Sequence, residues 1–413
     1  MKKYVVFLAA GKWQEPWLRY LKDRGHSIIL VDPNDNPVGR KYCDIYVKCD
    51  VKNWQAIQAF IEENEYEIEF FTSDQTDVST IPVAHLTEYF GTPGNSLESV
   101  QRFSNKYISR EFVQHHFGDE HLPLYAKISS ADKVIHFMEQ VGSKVMIKPV
   151  DAQSSRGIFV VDPQTEAQKI DAFVNEALAF SQQNYVLVEQ FVDGHEITVE
   201  GVITPNGHKI LAASGKKHFR TGIASDLEYP LAISPALWGR ISNFHNAVVN
   251  RTKLGMGITH TEYLVDAKRG TFYLVEMACR GGGSLIPSTI VPWVCGVTPY
   301  DILYTQLTGN KIDESVLKSF GSKRAATLHF FEFPSGKVES ISGITEARLL
   351  GGVHRLEMEF EVGDVIHPAA DDRGRQGFAI ILGDSPQHVH DIKKEIYATI
   401  SIEYAELEEP VTA

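Results

Sequence analysis

Short apolar runs alternate with amphipathic stretches over the first hundred residues. Residues 4–9 are an apolar run, and residues 14–23 then place Trp17, Leu18 and Leu21 on one helical face before Gly25 stops the turn. Residues 27–31 form a second run closed by Asp32. Residues 53–61 read as helix, 68–72 as strand, and 78–90 as helix before Gly91-Thr92-Pro93-Gly94. This alternation predicts a parallel sheet covered by helices on both faces. Ligands on such sheets gather at the carboxyl ends of the strands, which singles out Gly11 and the Thr72-Ser73-Asp74 loop; Gln14, Asp32 and the 73–77 loop would matter less for an inorganic acid as small as bicarbonate. One glycine follows the first strand, in Ala10-Gly11-Lys12-Trp13-Gln14, so the dinucleotide fingerprint G-x-G-x-x-G is missing and a nicotinamide dehydrogenase is disfavoured.

The pattern changes near residue 105. Helical stretches at 106–116, 131–141 and 165–180 alternate with β-rich pieces at 144–148, 157–161, 186–190 and 196–203. Strands at 261–265 and 271–276 and a helix at 298–307 follow. Beyond residue 317 the chain reads as antiparallel strands at 325–333, 336–341, 351–361 and 377–382, then a helix at 387–400. The fold class is α/β, α+β overall, in three parts: 1–105, 106–317 and 318–413.

Charge and composition narrow the partners. The formal net charge is −13 and no run of five basic residues occurs, so nucleic acid and anionic membranes are disfavoured, since both need clustered cations. Gly11 and Lys12 end the first apolar run too early for a signal peptide. No stretch reaches the roughly 20 apolar residues of a membrane span. Cys43, Cys49, Cys279 and Cys295 match no zinc spacing and no disulfide framework. A cytoplasmic protein is expected.

Three segments carry candidate chemistry. Thr261–Val265 and Phe272–Glu276 are β-prone around a turn-like 266–270. With an odd-numbered loop, facing residues sum to 538, and Glu262 then lies opposite Glu276 on one face. An even loop would separate them. Like charges opposed across strands are destabilising unless a hard divalent cation takes both carboxylates. Arg280 follows, with Gly281-Gly282-Gly283 opening an approach for a ligand and a guanidinium suited to phosphate or carboxylate. In the second segment, Val145-Met146-Ile147-Lys148 puts a lysine head at a strand end, free to meet a phosphate. Gln153-Ser154-Ser155-Arg156-Gly157 then offers hydroxyls and backbone donors without an apolar anchor, the composition of a lid. It is not a Walker loop, because G-x-x-x-x-G-K-[ST] is absent. The third segment runs from Val186 through Glu189, Phe191, Val192 and Gly194 to Glu196 and Glu200, a strand, turn and strand fit for an adenine hinge.

In order and spacing, Lys106, Lys148-Pro149, Ser154–Gly157, Glu189 to Glu196, Glu262, Glu276 and Arg280 resemble the ATP-grasp superfamily over residues 1–385. The resemblance implies an N-terminal Rossmann-like domain, a two-part grasp and a β-rich C-terminal piece. It implies that Lys106 and Lys148 hold the ATP phosphates and that Ser154, Ser155, Arg156 and Gly157 close over the γ-phosphate. Backbone groups at Glu189, Phe191 and Val192 would bind adenine, and Glu196 the ribose. Glu262 and Glu276 would ligate Mg²⁺, or Mn²⁺ in its place, and Arg280 and Lys148 would serve the reacting groups. One departure is Ala278, within Glu276-Met277-Ala278-Cys279-Arg280, where many members carry Asn. With His260-Thr261-Glu262 it looks more like the bacterial L-amino-acid ligases than like the carbamoyl phosphate synthase large subunit. The implied activity is Mg-ATP-dependent joining of a small carboxylate to an amine through an acyl phosphate, and a homodimer is compatible with it. Two rivals stand beside this: an enzyme acting on bicarbonate or formate, and a nucleotide-binding regulator without turnover. His218, in Lys216-Lys217-His218, is a weak candidate for a base.

Overall fold

The computed structural model describes residues 2–153, 155–318 and 324–405. Its first element is a four-stranded parallel sheet. Strand Lys3–Leu8 lies between Ser27–Asp32 and Glu67–Thr72, with Ile45–Lys48 on the outer edge. Val5 to Leu8 and Ile28 to Val31 are fully buried, as expected for strands covered on both faces. Helix Glu15–Asp23 covers one face through Trp17, Leu18 and Leu21. The edge strand Ile45–Lys48 is too short and too exposed to show as an apolar run.

A second, antiparallel sheet orders its strands as Tyr125–Ile128, Val186–Gln190, Val145–Pro149, Phe159–Val161. Helices Ala131–Val141 and Ala167–Ala179 close its core with Val134, Met138, Ile170 and Val174. Facing it is an eight-stranded sheet in the order Thr271–Ala278, Ile258–Asp266, His195–Thr204, Gly207–Arg220, Ile223–Tyr229, Ala325–Phe330, Gly377–Gly383, Val353–Met358. The boundary drawn at residue 317 therefore falls between strands that share one sheet.

Strands Gly207–Arg220 and Ile223–Tyr229 and helix Pro235–Arg251 were not foreseen. The helix starts with Ser234, whose hydroxyl accepts from Leu237 N–H, and Pro235 in the first turn. Its Gly239 and Asn residues dilute the apolar face that marks a helix in sequence. Strands Gly336–Ser342, Val365–Ile366 and Ser401–Tyr404 make a small fourth sheet, and helix Pro386–Thr399 packs through Val389, Ile392 and Ile396. Among the described residues no helix is long and apolar enough to cross a membrane.

Candidate active site

The parallel sheet, the two antiparallel sheets and the C-terminal strands meet around one cavity of about 840 Å³. Its wall includes Gln14, Gln75 and Thr76 from the loops after strands of the first sheet, Lys106, Lys148 and Arg156 from the second part, and Phe330, Asp372 and Arg375 from beyond residue 317. Lys12 pairs with Glu359 across this gap, and Trp13 meets Phe378 edge-to-face at 5.2 Å.

Glu262 and Glu276 face each other as foreseen, but by another route. The hairpin closes on Asp266 opposite Thr271, which makes the loop even and sets a sum of 537. A register shift between Glu262 and Tyr263 then absorbs one residue and restores Glu262 opposite Glu276. Bulges of this kind re-aim side chains beside active sites. Both glutamates line the cavity, Glu262 with a lysine head at 2.8 Å (Lys216 Nζ) and Glu276 with Lys106 Nζ at 3.3 Å. Burial opposes ionisation of Glu262, but Lys216 and His260 hold its carboxyl well below the usual range. The pair fits a hard divalent cation: two carboxylates on one face, each already calling for a positive neighbour. Ala278 is fully buried opposite His260 and supplies no donor.

His260 sits between Glu200 at 2.7 Å and Glu262 at 3.5 Å. Burial would lower its pKa, but the two carboxylates outweigh this and push it up to about 9, so it is a cation at neutral pH. Lys216 also bonds Glu196, the residue assigned to ribose, and His218 Nε2 lies 3.2 Å from the same carboxylate. The weak base candidate is thus engaged with Glu196.

Two expectations on the nucleotide side need correction. The head of Lys148 is not free: Nζ lies 2.6 Å from Glu189 Oε2, and Lys148 is buried. Glu189 does not line the cavity; its carboxylate is enclosed between Lys148 and Arg110, whose Nε is 2.7 Å away. Burial alone would raise the Glu189 pKa, yet Arg110 and Lys148 hold it at about 2. Phe191 spends its N–H on Lys144 O at 2.9 Å, which leaves Val192 and the Phe191 carbonyl for a base. Lys106 reaches Ala152 O at 2.9 Å and lines the cavity from the start of helix Lys106–Phe117, capped by Asn105.

The 153–157 loop has an anchor that its composition hid. Gly157 has a positive φ of 66°, and a Cβ there would meet Phe180 at 2.8 Å and Pro149 at 3.0 Å. Ser155 and Arg156 line the cavity, with Arg156 Nε donating to Gln153 O at 3.1 Å; Ser154 lies outside the described residues.

Arg280 lines the cavity, but its fork already holds a carboxylate. Nε donates to Asp77 Oδ1 at 3.0 Å and Nη2 to Asp77 Oδ2 at 2.7 Å. The glycines after it divide in role. A Cβ on Gly281 would meet Pro287 at 2.5 Å, and one on Gly282 would meet Ile286 at 2.9 Å, so both serve packing. Gly283 alone faces open space and the cavity. Ser284 and Leu285 then adopt positive φ of 56° and 66°, costing on the order of 1–3 kcal/mol each. The amide of Leu285 is held by Gln75 Oε1 at 2.9 Å.

Sequence reasoning missed Arg110, Asp77 and the bridging role of Lys216. Arg110 was within reach, because it lies one helical turn after Lys106 on a stretch already read as helix. Asp77 lay in the loop after the last parallel strand that was already singled out, but nothing local tied it to Arg280, 203 positions away.

Two family models match parts of the chain. Residues 141–288 match the model described as ATP-grasp domain, and residues 329–405 match L-amino acid ligase C-terminal domain 2. This chain carries an ATP-grasp domain. The chain superposes on an L-amino acid ligase from Bacillus licheniformis with TM-score 0.80 and 18% identity, covering 98% of this chain and 99% of that one. It superposes on an N5-carboxyaminoimidazole synthetase from Staphylococcus aureus complexed with ADP at TM-score 0.69 and 13% identity, covering 97% and 98%. In sequence it is 22% identical over 245 residues to the carbamoyl phosphate synthase large chain of Clostridium acetobutylicum. That match takes in 57% of this chain, which spans 22% of the relative's length.

Proposed function

We propose that the protein is a cytoplasmic Mg-ATP-dependent ligase that activates a small carboxylate, an amino acid in the first place, as an acyl phosphate and couples it to an amine. The observation that carries this is the convergence of Glu262, Glu276, Lys106, Lys216 and Arg280 on one cavity. Its volume lies in the upper part of the ~300–1,000 Å³ of small-molecule sites, with room for more than a nucleotide.

A carboxylate is a poor electrophile because its leaving group would be oxide. Attack of a carboxylate oxygen on the γ-phosphorus forms a new P–O bond and breaks the bond to ADP. The amine then attacks the carbonyl carbon, phosphate departs with the C–O electron pair, and the ammonium proton is lost. Such phosphoryl transfer needs charge neutralisation and alignment more than covalent help. Lys106 and Arg156 bear on the phosphates, Val192 on adenine and Glu196 on ribose. Lys148 acts on the phosphates through the head it shares with Glu189. Arg280 presents its remaining N–H donors to the carboxylate and then to the acyl phosphate. Mg²⁺, held by Glu262 and Glu276 when bound, neutralises phosphate charge.

Hydroxylamine tests the reading. With Mg-ATP and each of the twenty amino acids offered singly, the intact protein should form a hydroxamate with at least one acid, and Arg280→Lys should lose most of that product while still binding Mg-ADP. A second reading, activation of bicarbonate or formate, has support in a relative from Chlorobaculum tepidum described as a formate-dependent phosphoribosylglycinamide formyltransferase, 20% identical over 291 residues. Phosphate release with bicarbonate or formate and no hydroxamate with any amino acid would select it.

A further inference from the structure

Asp77 lies on the loop after the last parallel strand, 203 positions from Arg280 in sequence. Its carboxylate takes the Nε and Nη2 hydrogens along one edge of the guanidinium, at 3.0 and 2.7 Å. Nη1 donates to Gly281 O at 3.1 Å. An arginine has five N–H donors in a rigid plane, so these three contacts leave two, one on each terminal nitrogen. The pair is secluded, with side-chain exposures of 13% for Arg280 and 17% for Asp77.

The position of Asp77 is itself secured. Its N–H donates to Gln153 Oε1 at 3.1 Å, on the loop assigned to the γ-phosphate. The same 74–77 stretch grips the segment after Arg280 twice more, through Gly281 N–H to Asp74 Oδ1 at 2.8 Å and Leu285 N–H to Gln75 Oε1 at 2.9 Å. Asp74 is braced in turn by Tyr300 OH at 2.8 Å. Three contacts across two distant segments define one orientation of the arginine.

We infer that Asp77 is a positioning residue for ligation: it locks one edge of Arg280 so that the two remaining donors aim at the reacting carboxylate. This rests on the acid-binding reading of Arg280. Asp77 is not a stand-in for the substrate acid, because it takes the edge that includes Nε and leaves one hydrogen on each terminal nitrogen unspent. Without it the guanidinium can rotate about its last side-chain torsions. A misplacement on the order of 1 Å costs about a hundredfold in such steps.

The test uses the full chain, Mg-ATP, hydroxylamine and the twenty amino acids as acids. Asp77→Asn keeps the shape and removes the charge. It should lower kcat/KM for the acid by about tenfold to a hundredfold while the KM for ATP stays within about twofold. The Asp77→Asn/Arg280→Lys double variant should be no slower than Arg280→Lys alone, since two residues acting as one unit are not additive. Parental acid kinetics in Asp77→Asn beside an impaired Arg280→Lys, or losses that multiply in the double variant, overturn the inference and leave the reading of Arg280 standing. Parental rates in Arg280→Lys overturn that reading instead. A turnover-free measurement covers the case in which no hydroxamate forms. The Nε–H resonance of Arg280, assigned by its loss in Arg280→Lys, should exchange with solvent about tenfold faster or more in Mg-ADP-bound Asp77→Asn than in the parent. Equal exchange rates overturn the inference. If Asp77→Asn does not bind Mg-ADP, Asp77→Ser replaces it in both measurements.

Discussion

Glu189 and Glu276 both meet lysines, yet they belong to different kinds of structure. Glu189 is an inner-strand residue, 1% exposed, clamped by Lys148 and Arg110 inside one sheet and helix. Glu276 stands at the cavity wall with side-chain exposure of 24%, opposite Glu262 and within reach of Lys106. The first set of charges encloses the Glu189 carboxylate and braces the four-stranded antiparallel sheet, with Lys148 alone of the two cations reaching the cavity. The second is left with carboxylate oxygens facing the cavity. A carboxylate's chemistry is thus decided by whether its partners enclose it, not by the lysine next to it.

The contrast can be broken most directly at Glu276. Glu276→Gln should reduce hydroxamate formation on the order of a thousandfold, the several kcal/mol expected when phosphate charge goes uncompensated. Its unfolding free energy should stay within about 1 kcal/mol of the parent in denaturant titration. A comparable loss of stability would place Glu276 in the same class as Glu189.

Glu189→Ala should behave the opposite way. It strands two buried cations and should cost about 3–5 kcal/mol of stability, read as a lower denaturation midpoint. Lys148→Ala breaks the same cluster, so it too should lose stability, where a lysine with only its stem packed would lose little. Parental midpoints for both would show that the cluster does not brace the sheet.

Acid unfolding sharpens the comparison with a smaller effect. The Glu189 pKa is depressed from 4.5 to about 2. A depressed carboxylate contributes stability that is fully present above the unfolded value and lost as pH falls through the folded one. The cluster's contribution should therefore disappear between about pH 4.5 and 2, and the stability gap between the parent and Glu189→Ala should narrow over that window.

The smallest effect is at the loop. Amide exchange at Arg156 and Gly157 should slow several-fold when Mg-ATP is added, as for segments that close over ligand. Gly157 packs against Phe180 and Pro149, so protection in the free protein should already exceed that of an unanchored loop. Equal exchange with and without nucleotide would remove the lid role.

Local patterning determined much of this protein. Apolar runs and helical faces are short-range properties of the chain, so the parallel sheet, helix Ala131–Val141 and strand Val186–Gln190 were legible before any contact was known. Lysines, glutamates and glycines in characteristic order likewise identified the ATP-grasp domain. Only the tertiary structure decided what each charge is for. Whether the head of Lys148 is free depends on Arg110 and Glu189 arriving at the same place, and whether the fork of Arg280 is empty depends on Asp77, more than two hundred positions upstream. Even the facing of Glu262 and Glu276 rested on a bulge, because strand register is set by the ladder as a whole and not by the length of one turn.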